Sequence, residues 1–299
     1  MMKIIDRSDQ IYAFSADLTA VTSVPCGSRV CFDVQDALGG QVRTASDVLS
    51  GLDFDRVNPA TGPVAVEGVR KGDSLVVSIE RIDIDDCGAT VAGPELGVLP
   101  NALDRYVTRI LPIVSGNVQF DDIRLPIRPM VGVIGVAPAT ESYATGTAHR
   151  HGGNMDTKEI GMGTRLFLPV FQDGALLAMG DLHAVMGDGE VCVSGCEVSG
   201  RVTVGLDRIV GRQRGWPILA TEHAVHVIVS LPTIEEALTE ATRQSVELLK
   251  DACNLTTEDA YMLASLAVDV GISQLVDPNK TAKATIPRSI LRRPIDEWL

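Results

Sequence analysis

Positive charge is in short supply in this 299-residue sequence: 26 Lys and Arg stand against 39 Asp and Glu, a formal net charge of −13. A polyanion would meet net repulsion, which argues against nucleic acid or an anionic membrane surface as partner. Long apolar runs are missing too. The longest stretch of the kind, Pro129 to Ala139, is broken by Gly and Pro and falls short of the ~20 residues of a membrane-spanning helix. The opening segment, MMKIIDRSDQIYAF, carries Lys3, Asp6, Arg7 and Asp9 ahead of any apolar stretch, so it lacks the apolar core of a signal peptide. The six cysteines have no C-x-x-C spacing and are sparse for the length. That argues against a disulfide-built scaffold and leaves most of them as small buried hydrophobes. Cytoplasm is the expected compartment. The common signatures are silent as well: no G-x-x-x-x-G-K-[ST] phosphate loop, no G-x-G-x-x-G junction, no G-x-S-x-G elbow and no H-E-x-x-H helix. Histidine itself is scarce, with 5 in the chain, and three of them fall between His149 and His183.

What is present from about residue 10 to 230 has the texture of strands. Val30–Val34, Leu75–Ile79, Ile82–Ile84, Arg201–Val204 and Ala224–Val229 are short and β-branched, and several alternate apolar with polar residues. Turn sequences separate such runs at Pro25-Cys-Gly27, Lys71-Gly-Asp73, Gln172-Asp-Gly174 and Gly187-Asp-Gly189. This spacing predicts a mainly β fold with β-sandwich, jelly-roll and barrel-like parts rather than βαβ units. After Leu231 the texture changes. Thr233-Ile-Glu-Glu236 is a capping box, followed by an apolar stripe at helical spacing, and Thr256 or Thr257 begins a second helix expected to stop at Gly271. The division expected is a mainly β catalytic region over 1–230 and a smaller α/β portion over 231–299, carrying two C-terminal helices and an arm packed on the β region.

Two blocks concentrate groups able to do chemistry. In Ala148-His-Arg-His-Gly-Gly-Asn-Met-Asp-Thr157, an extended chain projects His149 and His151 to one face. Gly152-Gly153 permits a tight turn, after which Asn154 and Asp156 re-enter the same space. In Gly180-Asp-Leu-His-Ala184, followed by Gly187-Asp-Gly-Glu190, Asp181 and His183 share a strand face. Imidazole and carboxylate together are what a hydrolytic divalent metal requires. Asp36 is a third acidic candidate, and Glu141 and Glu197 are carboxylates beside apolar runs whose burial would make a base. His223 and His226 fall on opposite faces of a strand.

These blocks make the chain resemble the acetamidase/formamidase family, whose members hydrolyse short primary amides. The resemblance rests on Phe32-Asp-Val-Gln-Asp-Ala-Leu-Gly-Gly-Gln41, Asn58-Pro-Ala-Thr-Gly-Pro63, Gly135-Val-Ala-Pro-Ala139, His149-Arg-His-Gly-Gly-Asn-Met-Asp156 and Gly180-Asp-Leu-His-Ala184 with Gly187-Asp-Gly-Glu-Val191. It implies a mostly β oligomer and a metal-assisted amidase acting on a small-molecule amide. The site positions it implies are Asp36, His151, Asn154, Asp156, Asp181 and His183. Val185 and Met186 stand where the family pattern carries a polar residue; if they line the pocket, a bulkier amide than acetamide or formamide is expected.

The mechanism expected places a divalent metal, zinc or alternatively calcium, on Asp36, Asp181 and His183, with His151 or Asp156. Glu141 or a remaining Asp shuttles a proton to ammonia. Asn154, or the N–H groups of Gly152-Gly153, donates to the developing oxyanion. The competing expectation is a calcium-dependent binding module using exposed acidic loops such as Asp85-Asp86 or Asp121-Asp122.

Overall fold

The strand Ser74–Ile84 uses the alternation read from its sequence. Leu75, Val77 and Ile79 enter one hydrophobic core, and Val76, on the opposite face, enters another; this is the period-2 disposition of a strand covered on both sides. The computed structural model describes residues 2–298. Among them strands predominate, joined by two α-helices, α1 (Ile234–Cys253) and α2 (Thr257–Ala267).

One sheet has nine strands, in the order Lys3–Ile5, Arg29–Val34, Gly200–Ile209, Ser74–Ile84, Arg165–Pro169, Ile218–Ala220, Ala224–Leu231, Lys280–Pro287 and Asp269–Gln274. A second sheet of eleven strands is centred on Leu177–His183, which pairs with Met130–Gly135, Ala60–Glu67 and Glu197–Val198. The principal core lies between the two sheets, with Phe32, Val77 and Leu166 from the first facing Val64, Ile134 and Leu177 from the second. The helices cover the far side of the nine-stranded sheet, where Ala237, Ala241 and Leu249 of α1 pack on Val227, Val229 and Ala282. The fold is therefore mainly β with two helices near the C-terminus.

Helix α1 begins as its sequence directs. Thr233 accepts from the backbone N–H of Glu236, and the Glu236 side chain accepts in return from the backbone N–H of Thr233. Thr256 caps α2, but this helix ends at Ala267 rather than at Gly271. Val268-Asp-Val-Gly-Ile272 is β-branched, and Asp269–Gln274 pairs with Lys280–Pro287 at the edge of the nine-stranded sheet. The region beyond 231 is thus more than helices and an arm. Lys280–Pro287 pairs residue for residue with Ala224–Leu231 across the expected boundary, so one continuous sheet joins the two portions.

Candidate active site

His183 closes the strand Leu177–His183, every residue of which is buried. On one neighbouring strand it stands opposite Met130, and on the other opposite Glu197. Four carboxylates converge on its ring. Nε2 lies 3.1 Å from Asp181 Oδ1, 3.1 Å from Glu197 Oε1, 3.7 Å from Glu190 Oε1 and 3.9 Å from Asp156 Oδ1. All five side chains are buried.

The backbone is bent to bring them together. Asp156 (φ 39°), Asp181 (φ 55°) and Glu190 (φ 48°) all adopt the left-handed conformation. It costs a non-glycine residue roughly 1–2 kcal/mol and tends to collect at functional sites. Glycine supplies the room. A Cβ at Gly132 would lie 2.4 Å from Asp156 Oδ1 and 2.5 Å from Asp181 Oδ2, and one at Gly195 would lie 2.7 Å from His183 Nδ1.

Several polar atoms here have no partner in the protein: both oxygens of Asp156, Oε2 of Glu197 and Nδ1 of His183 are buried and unbonded. Burial of this kind is expensive unless the charge is paired or coordinates a metal. The titration of the cluster shows the tension. Burial and then Asp181 push the Asp156 carboxyl well above the usual carboxylate range; burial and then Asp156 do the same for Glu190. Burial raises Glu197 to about 7, with the His183 ring opposing. Burial disfavours the His183 imidazolium, yet Glu197 and Asp181 beside it hold its pKa well above the ordinary histidine value. One imidazole among carboxylates is a donor set suited to a divalent ion. Two overlapping groups have ligand atoms all within 4.8 Å of one another: Asp156–His183–Glu190 and Asp181–His183–Glu197.

The cluster opens into a cavity of about 140 Å³, with Asn154, Asp181, His183, Glu190, Glu197 and Asp277 among its polar lining. Asn154 donates from Nδ2 to Asp277 Oδ2 (2.8 Å), leaving its Oδ1 buried without a partner. Asp277 comes from the turn between the two C-terminal strands. The same strands hold the turn that carries Glu190: Gly189 donates its N–H to the Ser273 carbonyl (2.7 Å) and accepts at its own carbonyl from Leu275 N–H. Lys283, buried on Lys280–Pro287, pairs with Asp188 (2.7 Å) and Glu159 (2.8 Å).

Of the residues singled out in the sequence, Asp156, Asp181, His183 and the burial-raised Glu197 come together and Asn154 joins them at the cavity. His151 does not. His149 and Gly152 exchange backbone hydrogen bonds in a tight turn, and Gly152 and Gly153, both at φ 92°, carry the chain away from the His151 side chain. That ring packs instead between Phe14 (centroids 5.0 Å apart) and Tyr143 (4.8 Å), and burial drives its pKa down to about 3. The N–H of Gly152, expected as an oxyanion donor, is already bonded to the His149 carbonyl. Asp36 uses its carboxylate locally, accepting from Ser199 Oγ (2.9 Å) and Gly40 N–H (3.2 Å). Glu141 is exposed, and hydrogen bonds lower its pKa, the reverse of a base raised by burial. Val185 and Met186 line a neighbouring cavity on the other side of Glu190 and Ser194. Asp277 had no signal in the sequence: it lies beyond the expected helix stop at Gly271 and before the tail, in a stretch where no element is expected, and the pairing of two strands is what places it. Glu190 sat inside a quoted motif without a role.

A family model described as the acetamidase/formamidase family matches residues 6–149 and 139–293. The chain belongs to the acetamidase/formamidase family. Two solved structures of family members superpose over almost the whole chain. A predicted acetamidase/formamidase from the thermophile Thermoanaerobacter tengcongensis is 40% identical over 97% of both chains, with a TM-score of 0.94. An acetamidase from Bacillus halodurans is 39% identical over 96% of this chain and 97% of that one, with a TM-score of 0.93. The acetamidase of Mycolicibacterium smegmatis is 27% identical over 65% of this chain. The chain covers 61% and 64% of the length of the first two curated relatives it matches.

Proposed function

We propose that this member of the acetamidase/formamidase family hydrolyses a short-chain primary amide to carboxylate and ammonia, with water as the nucleophile and a divalent metal, zinc by preference, as cofactor. The observation carrying the reading is the buried ring of four carboxylates around His183, with unbonded oxygens turned on one another. Asp156, Asp181, His183 and Glu190 would hold the ion. Bound there, it supplies a Lewis acid for the amide carbonyl and lowers the pKa of water towards ~7.

The remaining work falls to the protein's own groups. Glu197 Oε2, buried and unbonded at the cavity, takes the proton released by the attacking water and returns it to the leaving nitrogen, so that no net proton is consumed in forming ammonia. Asn154 Oδ1 accepts an N–H of the substrate amide and orients it, its Nδ2 being engaged by Asp277. This replaces the oxyanion role expected from the sequence for Asn154.

The competing calcium-dependent binding module has less support. Asp85, Asp86, Asp121 and Asp122 are exposed, and Asp121 is paired with Arg109 at 2.7 Å. An imidazole at the centre of the buried set favours zinc over an ion that prefers oxygen alone. A cytoplasmic setting is in keeping with six free cysteines, and a homo-oligomer with the apolar residues Tyr261, Met262 and Leu266 left exposed on α2. The test is ammonia release from formamide, acetamide and longer amides by chelated protein verified metal-free by elemental analysis. Activity is expected to vanish and to return with zinc; full activity without metal overturns the reading.

A further inference from the structure

We infer that Asp277 is a positioning residue for leaving-group selection: it fixes the orientation of the Asn154 side-chain amide, and the site thereby demands an N–H on the group that departs. This rests on the amidase reading of the same cavity. Asp277 is presented by a turn built around one side chain. The fully buried Gln274 accepts at Oε1 from the N–H groups of Val276 (2.9 Å) and Asp277 (3.1 Å), and donates from Nε2 to the Asn279 carbonyl (2.6 Å) and Thr281 Oγ1 (3.0 Å). Lys280 Nζ donates to the Asp277 carbonyl. Asn279 Nδ2 donates to the carbonyl of Ala148 (2.8 Å), just ahead of the motif that carries Asn154.

Asn154 is equally constrained, ending the buried strand Gly152–Asn154 opposite Val133. Two rigid segments thus meet at one contact, Asn154 Nδ2 on Asp277 Oδ2. An amide nitrogen carries only donors and its oxygen only lone pairs, so this contact decides which end of the Asn154 amide is left over. It is Oδ1, buried with no donor from the protein. An unpaired acceptor selects. A primary amide brings two N–H donors on its leaving nitrogen and satisfies it. An ester of the same acid brings an oxygen with lone pairs only, which sets two acceptors face to face and leaves Oδ1 unpaired. A site built to bond a substrate N–H rejects the analogue lacking it by about 10,000-fold or more. Turned the other way, with Nδ2 towards the substrate, Asn154 would donate to an ester oxygen and the distinction would be lost.

The experiment compares kcat/KM for acetamide, by ammonia release, with that for methyl acetate, by acid release. The zinc-loaded natural protein, Asp277→Ala, Asn154→Ala and the double variant are assayed, each with its zinc content measured. The natural protein should favour acetamide, although the ester is chemically the easier acyl donor. D277A should lower the acetamide-to-ester ratio about 10–100-fold with zinc retained, the scale of one buried acceptor left unpaired. N154A should lower it by a similar factor, and the double variant no further than either, because one residue acts through the other. A purely structural Asp277 would slow both substrates alike. A ratio unmoved in D277A, or a double variant whose losses multiply, therefore overturns the inference and leaves the amidase reading intact. So does a natural protein that prefers methyl acetate, or an N154A of unmoved ratio, and these two measurements decide the matter if D277A does not fold. Ammonia from neither acetamide nor formamide overturns the amidase reading, and this inference with it.

Discussion

Asp156 and Asp181 sit beside His183 only because Gly132 has no side chain to fill their space, and Gly195 leaves room for the His183 ring in the same way. Glycine matters at Gly132 for its missing side chain. Gly132→Ala is expected to displace Asp156 and Asp181 and to cut amidase kcat by about 10–100-fold, the scale seen when groups that orient metal ligands are disturbed. Circular dichroism should show the strands retained; an alanine variant of unaltered kcat would contradict the tight approach. His151 makes the opposite case. Its folded pKa is about 3, against ~6.5 in an unfolded chain, so between those values the unfolded state binds a proton that the native state refuses. Stability is therefore lost as pH falls from about 6.5 towards 3, by up to about 1.4 kcal/mol per pH unit from this one group. His151→Phe, which suits the aromatic contacts with Phe14 and Tyr143, should show a shallower decline in urea-melt stability between pH 6.5 and 4.5 and should keep its amidase activity. Sequence reading found Asp156, Asp181 and His183 because motif neighbours lie within a few residues. It misassigned His151 because the turn at Gly152-Gly153 was expected to return Asn154 and Asp156 to the His151 side chain, whereas it carries them away from it.

At the scale of elements, the end of Leu177–His183 is rigid and the turn after it has to be held. The clamp comes from Asp269–Gln274 and Lys280–Pro287, through Ser273, Leu275 and Lys283. Lys283→Met leaves Glu159 and Asp188 without their buried cation, although Lys158 still pairs with Asp188 at 2.6 Å. Only the lysine is buried, with Glu159 partly and Asp188 largely open to solvent, so the cost falls below that of a fully buried pair, at about 1–3 kcal/mol. Urea denaturation should register a loss of that order, and a loss below about 1 kcal/mol would mean that solvent readily replaces the lysine. The capping box of α1 and most long strands were legible because their signals are local: Thr233 and Glu236 are three residues apart, and alternation repeats every second residue. The C-terminal strands were not. No Gly or Pro precedes Gly271 to end the helical pattern earlier, and only the partner strand, Lys280–Pro287, decides that Asp269–Gln274 is extended.

Across the whole molecule, the acidic charge of −13 is partly concentrated where it cannot reach water, around His183. An ion held by those carboxylates binds the folded chain and not the unfolded one, and at a hundredfold excess over its Kd this contributes about 2.7 kcal/mol. Zinc is thus expected to raise Tm in a concentration-dependent manner and a chelator to lower it, as differential scanning calorimetry would record; a Tm indifferent to both would count against a cation in the cluster. The mainly β class was readable from composition and turn spacing, whereas the joining of 231–299 to the nine-stranded sheet was not, since pairing between Ala224–Leu231 and Lys280–Pro287 leaves no local mark. That pairing has a consequence for how the protein is made. Asn154 meets Asp277 across 123 positions of chain, and Lys283 steadies a turn 95 residues before it. During synthesis at roughly 5–20 residues per second, the catalytic pocket stays unfinished for several seconds after His183 has been added. A ribosome stalled before Lys283 would carry a nascent chain whose carboxylates have all been added, with no closed site to receive an ion.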